Sequence, residues 1–470
     1  MLDKPSLLSR FADIVGARHV IAEPTDMERY LVEDRGLYHG RALCVVRPGN
    51  VEEVSRLVAL CDETGTKIVP QGGNTGLVGG QIPSEKGDEI VLSLTRLTAI
   101  RDIDPSSNTM TLEAGVTLLR AQEEAEKIDR LFPLSLASEG SCTIGGNLST
   151  NAGGTAVLAY GNARDLVLGL EVVLADGRIL STLSKLKKDN TGYDLKHLFM
   201  GAEGTLGIIT AAALKLFPRP RARETAFIGV ASPNDALSLL TLAQERAGPS
   251  LVTFEIVPRI GIDFVLRHSP GARDPLSSPH AWYVLLEFAS QAEHGLTDDA
   301  ELLLAEALER GIAEDAALAT SLDQRNAFWR LREHLSEVQK YEGGSIKHDV
   351  SVPVAAVPAF IDSATSAVLA ALPKARVVAF GHLGDGNVHF NVSQPVGANK
   401  EAFLARWHDI NDVVHGIVAS YGGSISAEHG IGQLKRELLP EVKDKVALDV
   451  MRALKRTLDP KGLLNPGKVL

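Results

Sequence analysis

The stretch PQGGNTGLVGG, Pro70 to Gly80, sets the tightest condition on how this chain can fold, because five of its residues are glycine and it directly follows a strand pattern. Glycine lets backbone N–H groups turn toward one centre and lets other groups approach the main chain, so the loop offers an anion-binding nest suited to a pyrophosphate. Taken alone, it equally suits a flexible surface turn. The residues before it, RALCVVRPGNVEEVSRLVALCDETGTKIV, read strand, helix, strand. Asn50 with Glu53 makes a capping-box start, Val51, Val54, Val58 and Cys61 recur on one helical face, and Gly65 ends the helix. The loop therefore closes an α/β unit. No GxGxxG string and no Walker lysine motif occurs, which argues against direct nicotinamide use.

Two further segments are rich in small residues: SEGSCTIGGNLSTNAGG, Ser138 to Gly154, and GYDLKHLFMGAEGTLGIIT, Gly192 to Thr210. Each alone could serve tight helix packing, but three such segments in one domain suit a large, flat cofactor that the backbone must approach. EIVLSL and TMTLEAG read as strands, and GLEVVLADGRIL as a hairpin whose Asp176-Gly177 pair suits a two-residue turn. FPRPRARE, residues 217 to 224, marks a boundary. We expect a first domain over 1–218, divided near residue 99, a second over 219–429, and a C-terminal helical segment over 430–470. The middle region alternates helices such as DALSLLTLAQERA with strands such as AWYVLLEFAS, as in a sheet covered by helices.

At 470 residues the chain exceeds a single core, and 44% hydrophobic with 23% charged residues is the balance of a globular protein. A net charge of −11 disfavours nucleic acid. Cys44, Cys61 and Cys142 stand too far apart for a CxxC metal or redox site and read as small core residues. The N-terminus lacks a secretory apolar core and no apolar run approaches the roughly 20 residues of a membrane span, so the expectation is a cytoplasmic protein without a transmembrane segment.

FGHLGDGNVHFNV, residues 380 to 392, places two histidines around a Gly-Asp-Gly-Asn turn. With Asp385 and Gly386 as a two-residue loop, His382 stands opposite His389, on one face with Asn391, close enough for both imidazoles to reach one divalent ion. A hydrogen-bonded core pair is the plainer alternative. GGSISAEHGIGQLKREL supplies Glu428 and His429 should the chain fold back. In NAFWRLREHLSEVQKY, Phe328, Leu331, Leu335 and Val338 form a buried stripe with Arg332 and Ser336 one turn apart beside it, and Lys347 lies in the strand SIKHDVSVP. All three polar residues are also compatible with a solvated surface.

These motifs resemble the FAD-linked oxidoreductases of the vanillyl-alcohol oxidase type, and within them the D-2-hydroxyacid dehydrogenases. The resemblance covers nearly the whole chain. It implies an α+β fold, with two α/β subdomains enclosing FAD and a substrate cap built on an antiparallel sheet covered by helices. By this likeness the pyrophosphate loop contributes Gln71, Gly72, Gly73, Asn74, Thr75, Gly76 and Leu77. The flavin-packing segment contributes Gly140, Ser141, Ile144, Gly145, Asn147, Thr150 and Asn151. Glu203, Ile208 and Asn465, the last in the C-terminal LNPGK, complete the cofactor contacts. The first loop has no histidine or cysteine for covalent attachment there, so FAD is expected to be noncovalent.

In the D-2-hydroxyglutarate branch the matching positions make His382, His389 and Glu428 ligands of zinc or a similar divalent metal and His429 the base. The same likeness gives Arg332, Ser336 and Lys347 the substrate's distal carboxylate, serine here standing for threonine, and Asn391 is placed with them as a substrate contact. The implied reaction is oxidation of a D-2-hydroxyacid, D-2-hydroxyglutarate to 2-oxoglutarate foremost, with D-malate also accommodated. D-lactate or glycolate oxidation is the alternative. Alkyl-glycerone-phosphate synthase, a transferase, shares the fold but has a run of adjacent histidines not found here, and a noncatalytic flavoprotein subunit would not need the histidine constellation. An electron-transfer flavoprotein or a quinone would accept the electrons, and a homodimer is left open.

Overall fold

Asn50 accepts the Glu53 N–H at 2.8 Å and starts the helix Val51–Thr64, in a computed structural model that describes residues 3–470. The Glu53 carboxylate reaches back to the Gly49 N–H at 2.7 Å, and Gly65 at φ 70° ends the helix. Val54, Leu57, Val58 and Cys61 are fully buried on its inner face. Val54, Leu57 and Val58 each contribute roughly 1.5–3 kcal/mol.

The chain forms two units, and the first comprises residues through Gly153, Asn162–Arg219 and Glu428–Leu470. In its four-stranded sheet, Glu89–Ser93 lies between Val45–Val46 and Lys67–Gln71 and runs parallel to both. All five residues of Glu89–Ser93 are buried, as strands covered on both faces require. A five-stranded antiparallel sheet follows, ordered Ile100–Asp104, Thr109–Glu113, Ile208–Lys215, Val167–Val173, Ile179–Ser181. Its last hairpin corrects the two-residue turn read from the sequence. Val173 pairs with Ile179 and the Leu174 N–H donates to the Arg178 carbonyl, so Ala175, Asp176 and Gly177 all lie in the loop. Gly177 adopts φ 86°, and its carbonyl accepts the Ser55 hydroxyl at 2.6 Å, which ties the turn to the helix Val51–Thr64.

The second unit, Gly154–Gly161 and Pro220–Ala427, is built on a seven-stranded antiparallel sheet. Its order is Asp315–Leu318, Ala222–Val230, Trp282–Ser290, Leu251–Pro258, Arg376–His382, Asn387–Ser393, Ser345–Ser351. Helices Pro233–Ala247 and Leu296–Glu309 pack against this sheet, and Val357–Ala371 against Trp407–Ser420. The α+β class is therefore as read from the sequence. One expectation about apolar runs needs correcting: Val354–Ala371 is long and apolar enough to cross a membrane by length and composition. Phe360, Ile361, Ala364 and Val368 on this helix are buried inside the unit.

Candidate active site

In the first unit the strand Lys67–Gln71 delivers the glycine loop. A Cβ on Gly72 would lie 2.3 Å from Thr143 Oγ1, and one on Gly73 would lie 2.0 Å from the Ser141 carbonyl oxygen. Only glycine allows the loop to sit this close to Ser141–Thr143. Asn74 takes φ 58°, and its side-chain amide donates to the Arg29 and Val32 carbonyls at 3.1 and 3.0 Å. Gly145 lies against Ala114, where a Cβ would meet that residue's own Cβ at 2.6 Å. The C-terminus adds a third side: Ile68 and Leu464 form a parallel bridge, and Asn465 Nδ2 donates to the Gly80 and Glu203 carbonyls at 2.9 and 2.7 Å.

These contacts bring the loop, the Ser141–Thr143 turn, Glu203 and Asn465 together within one unit. Several predicted residues are occupied by the protein itself. Gln71 donates to the Tyr30 and Gln81 carbonyls, Asn147 to Cys142 Sγ, the Thr150 hydroxyl to the Gly146 carbonyl, and Asn151 Oδ1 accepts the Arg164 N–H. Ile208 belongs to the core, Thr75, Gly76 and Leu77 are half-buried, and Gly140 and Ser141 are exposed. The Glu203 carboxylate accepts the Ile431 and Gly432 N–H groups at 2.6 and 2.8 Å, and burial pushes its pKa up against those hydrogen bonds.

A fit for FAD is visible in what remains unsatisfied. Among the described residues, buried Asn74 Oδ1, Thr143 Oγ1 and Asn465 Oδ1 have no hydrogen-bond partner, although buried polar atoms are ordinarily paired. All three belong to the loop, the turn and the C-terminal return, where the chemistry of a dinucleotide could satisfy them.

In the second unit the histidine hairpin differs in register from the sequence expectation. Phe380, not His382, pairs with His389, and Val378 pairs with Asn391. The Asp385 and Gly386 N–H groups donate to the His382 carbonyl, which makes a longer turn. Gly381 permits it: at φ 151°, a Cβ there would stand 2.5 Å from the Asn387 carbonyl oxygen. His382 and His389 are diagonal rather than opposed but still share a face, with ring centroids 5.4 Å apart.

The strand Leu251–Pro258 brings Glu255 opposite His382. Glu255 Oε1 lies 2.5 Å from His382 Nδ1, and Glu255 Oε2 accepts Arg332 Nε at 2.6 Å. Burial alone would raise the Glu255 carboxyl, but His382 and Arg332 outweigh it and hold it at about 2. The Arg332 guanidinium also lies over the Phe380 ring, 4.8 Å from its centroid. Its helix stops at Glu333, and Ser336 lies in the separate turn Leu335–Val338, whose Ser336 carbonyl accepts Lys347 Nζ at 3.3 Å. Asn391 donates to Gln339 Oε1 at 3.1 Å. Asp349 pairs with His389 across the strands, with its carboxylate 3.8 Å from His389 Nδ1.

Residues leading to Glu428 are clamped to the edge strand Ser345–Ser351. Ser424 and Ser351 exchange backbone hydrogen bonds at 2.8 and 3.0 Å, and the Ala427 N–H donates to the Asp349 carbonyl at 3.3 Å. Glu428 follows by one peptide bond and His429 by two. Glu255 and Asp349 were missed from the sequence. The available signal was each carboxylate's position inside a strand, Glu255 within LVTFEIVP, whose eight residues are all buried.

Residues 42–183 match a family described as FAD binding domain, and residues 219–469 match FAD linked oxidases, C-terminal domain. The chain is 37% identical over 463 residues to a mitochondrial D-2-hydroxyglutarate dehydrogenase of Arabidopsis thaliana, spanning 98% of this chain and 81% of that one. It is 36% identical to a D-2-hydroxyglutarate dehydrogenase of Xanthomonas citri pv. viticola, spanning 99% and 97%. Among solved structures, p-cresol methylhydroxylase shares the fold at a TM-score of 0.79 and 16% identity, covering 99% of this chain and 96% of that one. The cytoplasmic expectation is corrected by the eukaryotic relatives: those from Arabidopsis, Danio rerio, Rattus norvegicus and Bos taurus are all named mitochondrial. Composition reads alike for either compartment, so it could not separate the two.

Proposed function

Since the chain belongs to the FAD-linked oxidases and is an FAD-dependent D-2-hydroxyacid dehydrogenase, we propose that its substrate is D-2-hydroxyglutarate, oxidised to 2-oxoglutarate. The observation that carries this reading is the likeness to D-2-hydroxyglutarate dehydrogenases over 98–99% of the chain. The buried Arg332 beside the histidine hairpin supports it: held by Glu255 through Nε and stacked over Phe380, its guanidinium keeps terminal N–H donors of the kind that suit the second carboxylate of a diacid, a charge-assisted contact.

In this reading FAD is held noncovalently by the loop Gln71–Leu77, the Gly140–Asn151 segment and Asn465. His382, His389 and Glu428 hold a divalent metal, zinc foremost, since two imidazoles and one carboxylate leave coordination positions for substrate. Bound flavin supplies the hydride acceptor, and a bound cation supplies a Lewis acid that acidifies the 2-hydroxyl. His429 takes the hydroxyl proton. Arg332 offers its terminal nitrogens to the distal carboxylate, its Nε being committed to Glu255, with Ser336 and Lys347 beside it. Asn391 supports the substrate from the histidine strand. An electron-transfer flavoprotein or a quinone receives the electrons.

A panel of D-2-hydroxyacids assayed with an artificial electron acceptor, with and without chelator, tests this. D-2-hydroxyglutarate should give the highest kcat/KM, with D-lactate and glycolate well below it, and chelation should abolish turnover. A preference for D-lactate would move the assignment to the monocarboxylate branch.

A further inference from the structure

Within the sheet of the second unit, Glu255 is the charged residue of a strand, Leu251–Pro258, that is otherwise buried and uncharged. It has no solvent exposure, and its register partner on the adjacent strand is His382. Its two carboxylate oxygens are divided between two groups with different tasks: Oε1 faces His382 Nδ1 at 2.5 Å, and Oε2 accepts Arg332 Nε at 2.6 Å. We infer that Glu255 is a positioning residue that sets the tautomer of His382 for metal binding and, through the same carboxylate, aims Arg332 at the substrate. This rests on the reading of His382 as a metal ligand and of Arg332 as a carboxylate-binding residue.

The chemistry follows from donor and acceptor counts. An ionised carboxylate only accepts hydrogen bonds, so the proton of the imidazole it touches resides on Nδ1 and the lone pair is left on Nε2. A metal-bound histidine is ordinarily fixed in this way by a carboxylate or carbonyl on its other nitrogen. The guanidinium is a donor only and cannot change sides. One carboxylate therefore satisfies both neighbours, and a neutral amide cannot. In Glu255→Gln the amide oxygen is taken by Arg332, which leaves the amide N–H groups facing Nδ1. The imidazole answers by moving its proton to Nε2, where it blocks the metal.

The test uses the flavin-replete enzyme and zinc, with the dissociation constant read by competition with a chromogenic chelator. Glu255→Gln is compared with Glu287→Gln. Glu287 is also buried in this sheet, and it bonds Arg223 at 2.8 Å and Thr225 and Trp329 at 3.2 Å. Glu255→Gln should bind zinc roughly 10- to 100-fold more weakly, the usual cost of losing an outer partner of a metal ligand. Its KM for D-2-hydroxyglutarate should rise more than its KM for D-lactate. Glu287→Gln should keep wild-type zinc affinity even where its thermal midpoint falls. If Glu255→Gln does not accumulate in folded form, Glu255→Asp is read instead: it keeps the charge but shortens the reach, and intermediate zinc affinity is expected. Wild-type zinc affinity in the folded Glu255 variant, or an equal loss in Glu287→Gln, overturns the inference. His382→Ala separates the two layers. If it loses zinc while Glu255→Gln does not, the ligand assignment stands and the positioning role fails; if it keeps zinc, the ligand assignment fails and takes the inference with it.

Discussion

A methyl group on Gly73 would stand 2.0 Å from the Ser141 carbonyl oxygen and 2.9 Å from its carbonyl carbon, and backbone cannot step aside as a flexible side chain can. Gly73→Ala should therefore push the loop off the turn beneath it, costing about 1–3 kcal/mol and releasing flavin. The ratio of flavin to protein absorbance reads this directly. Gly416→Ala is the comparison: it lies in the helix Trp407–Ser420 with open space around it, and should stabilise by about 0.5–1 kcal/mol. His429→Ala should retain flavin and zinc but reduce the flavin more slowly by roughly 10²- to 10⁴-fold, the usual contribution of a general base. Rapid mixing followed by flavin bleaching measures it, and loss of zinc in that variant would make His429 a ligand instead. At this scale the sequence revealed residues whose type is itself informative. Glycine density pointed to close backbone approach at Gly72 and Gly73. Glu255 gave no such sign, because a single glutamate in a strand does not say which residues of distant segments will face it.

Among the elements, the segment Gln339–Glu342 leading into the strand Ser345–Ser351 is held by charge. Burial would raise the Glu342 carboxyl, but Arg376 at 2.5 Å, His268 at 2.7 Å and Arg267 hold it at about 2, below its ordinary 4.5. A carboxyl depressed in the folded state stabilises fully above its unfolded pKa, and that contribution is lost as pH falls through the folded one. Between about pH 5 and 2 the wild type should lose on the order of 2 kcal/mol more than Glu342→Gln. Denaturant unfolding across that range measures the difference; parallel curves would contradict it. The helix start at Asn50 was legible because a cap is local. The two hairpin turns were not read correctly, because their register depends on what each turn touches: Gly177 on the helix Val51–Thr64, Gly381 on the Asn387 carbonyl. The His382–His389 pair survived the register change because residues 380 and 382 lie on the same face of their strand.

Over the whole molecule, the family and the α+β class were legible because the glycine loop, the Ser138–Gly154 segment and LNPGK resemble the matching motifs of that family. Cellular location was not, since no physical constraint on the fold encodes it. The absence of histidine and cysteine from Pro70–Gly80 argues that the flavin is not attached there. Acid precipitation should accordingly leave the yellow chromophore in the supernatant, and flavin in the pellet would refute noncovalent binding. The central claim joins three parts: a D-2-hydroxyacid, a divalent cation and a flavin that takes the hydride. One half-reaction tests them together. The flavin-replete enzyme is mixed anaerobically with D-2-hydroxyglutarate as isolated, after chelation, and after zinc is restored. Rapid bleaching of the flavin with the D enantiomer, lost on chelation and recovered with zinc, is the predicted result; bleaching at an unchanged rate in the metal-stripped enzyme, or none with D-2-hydroxyglutarate at all, would contradict the account.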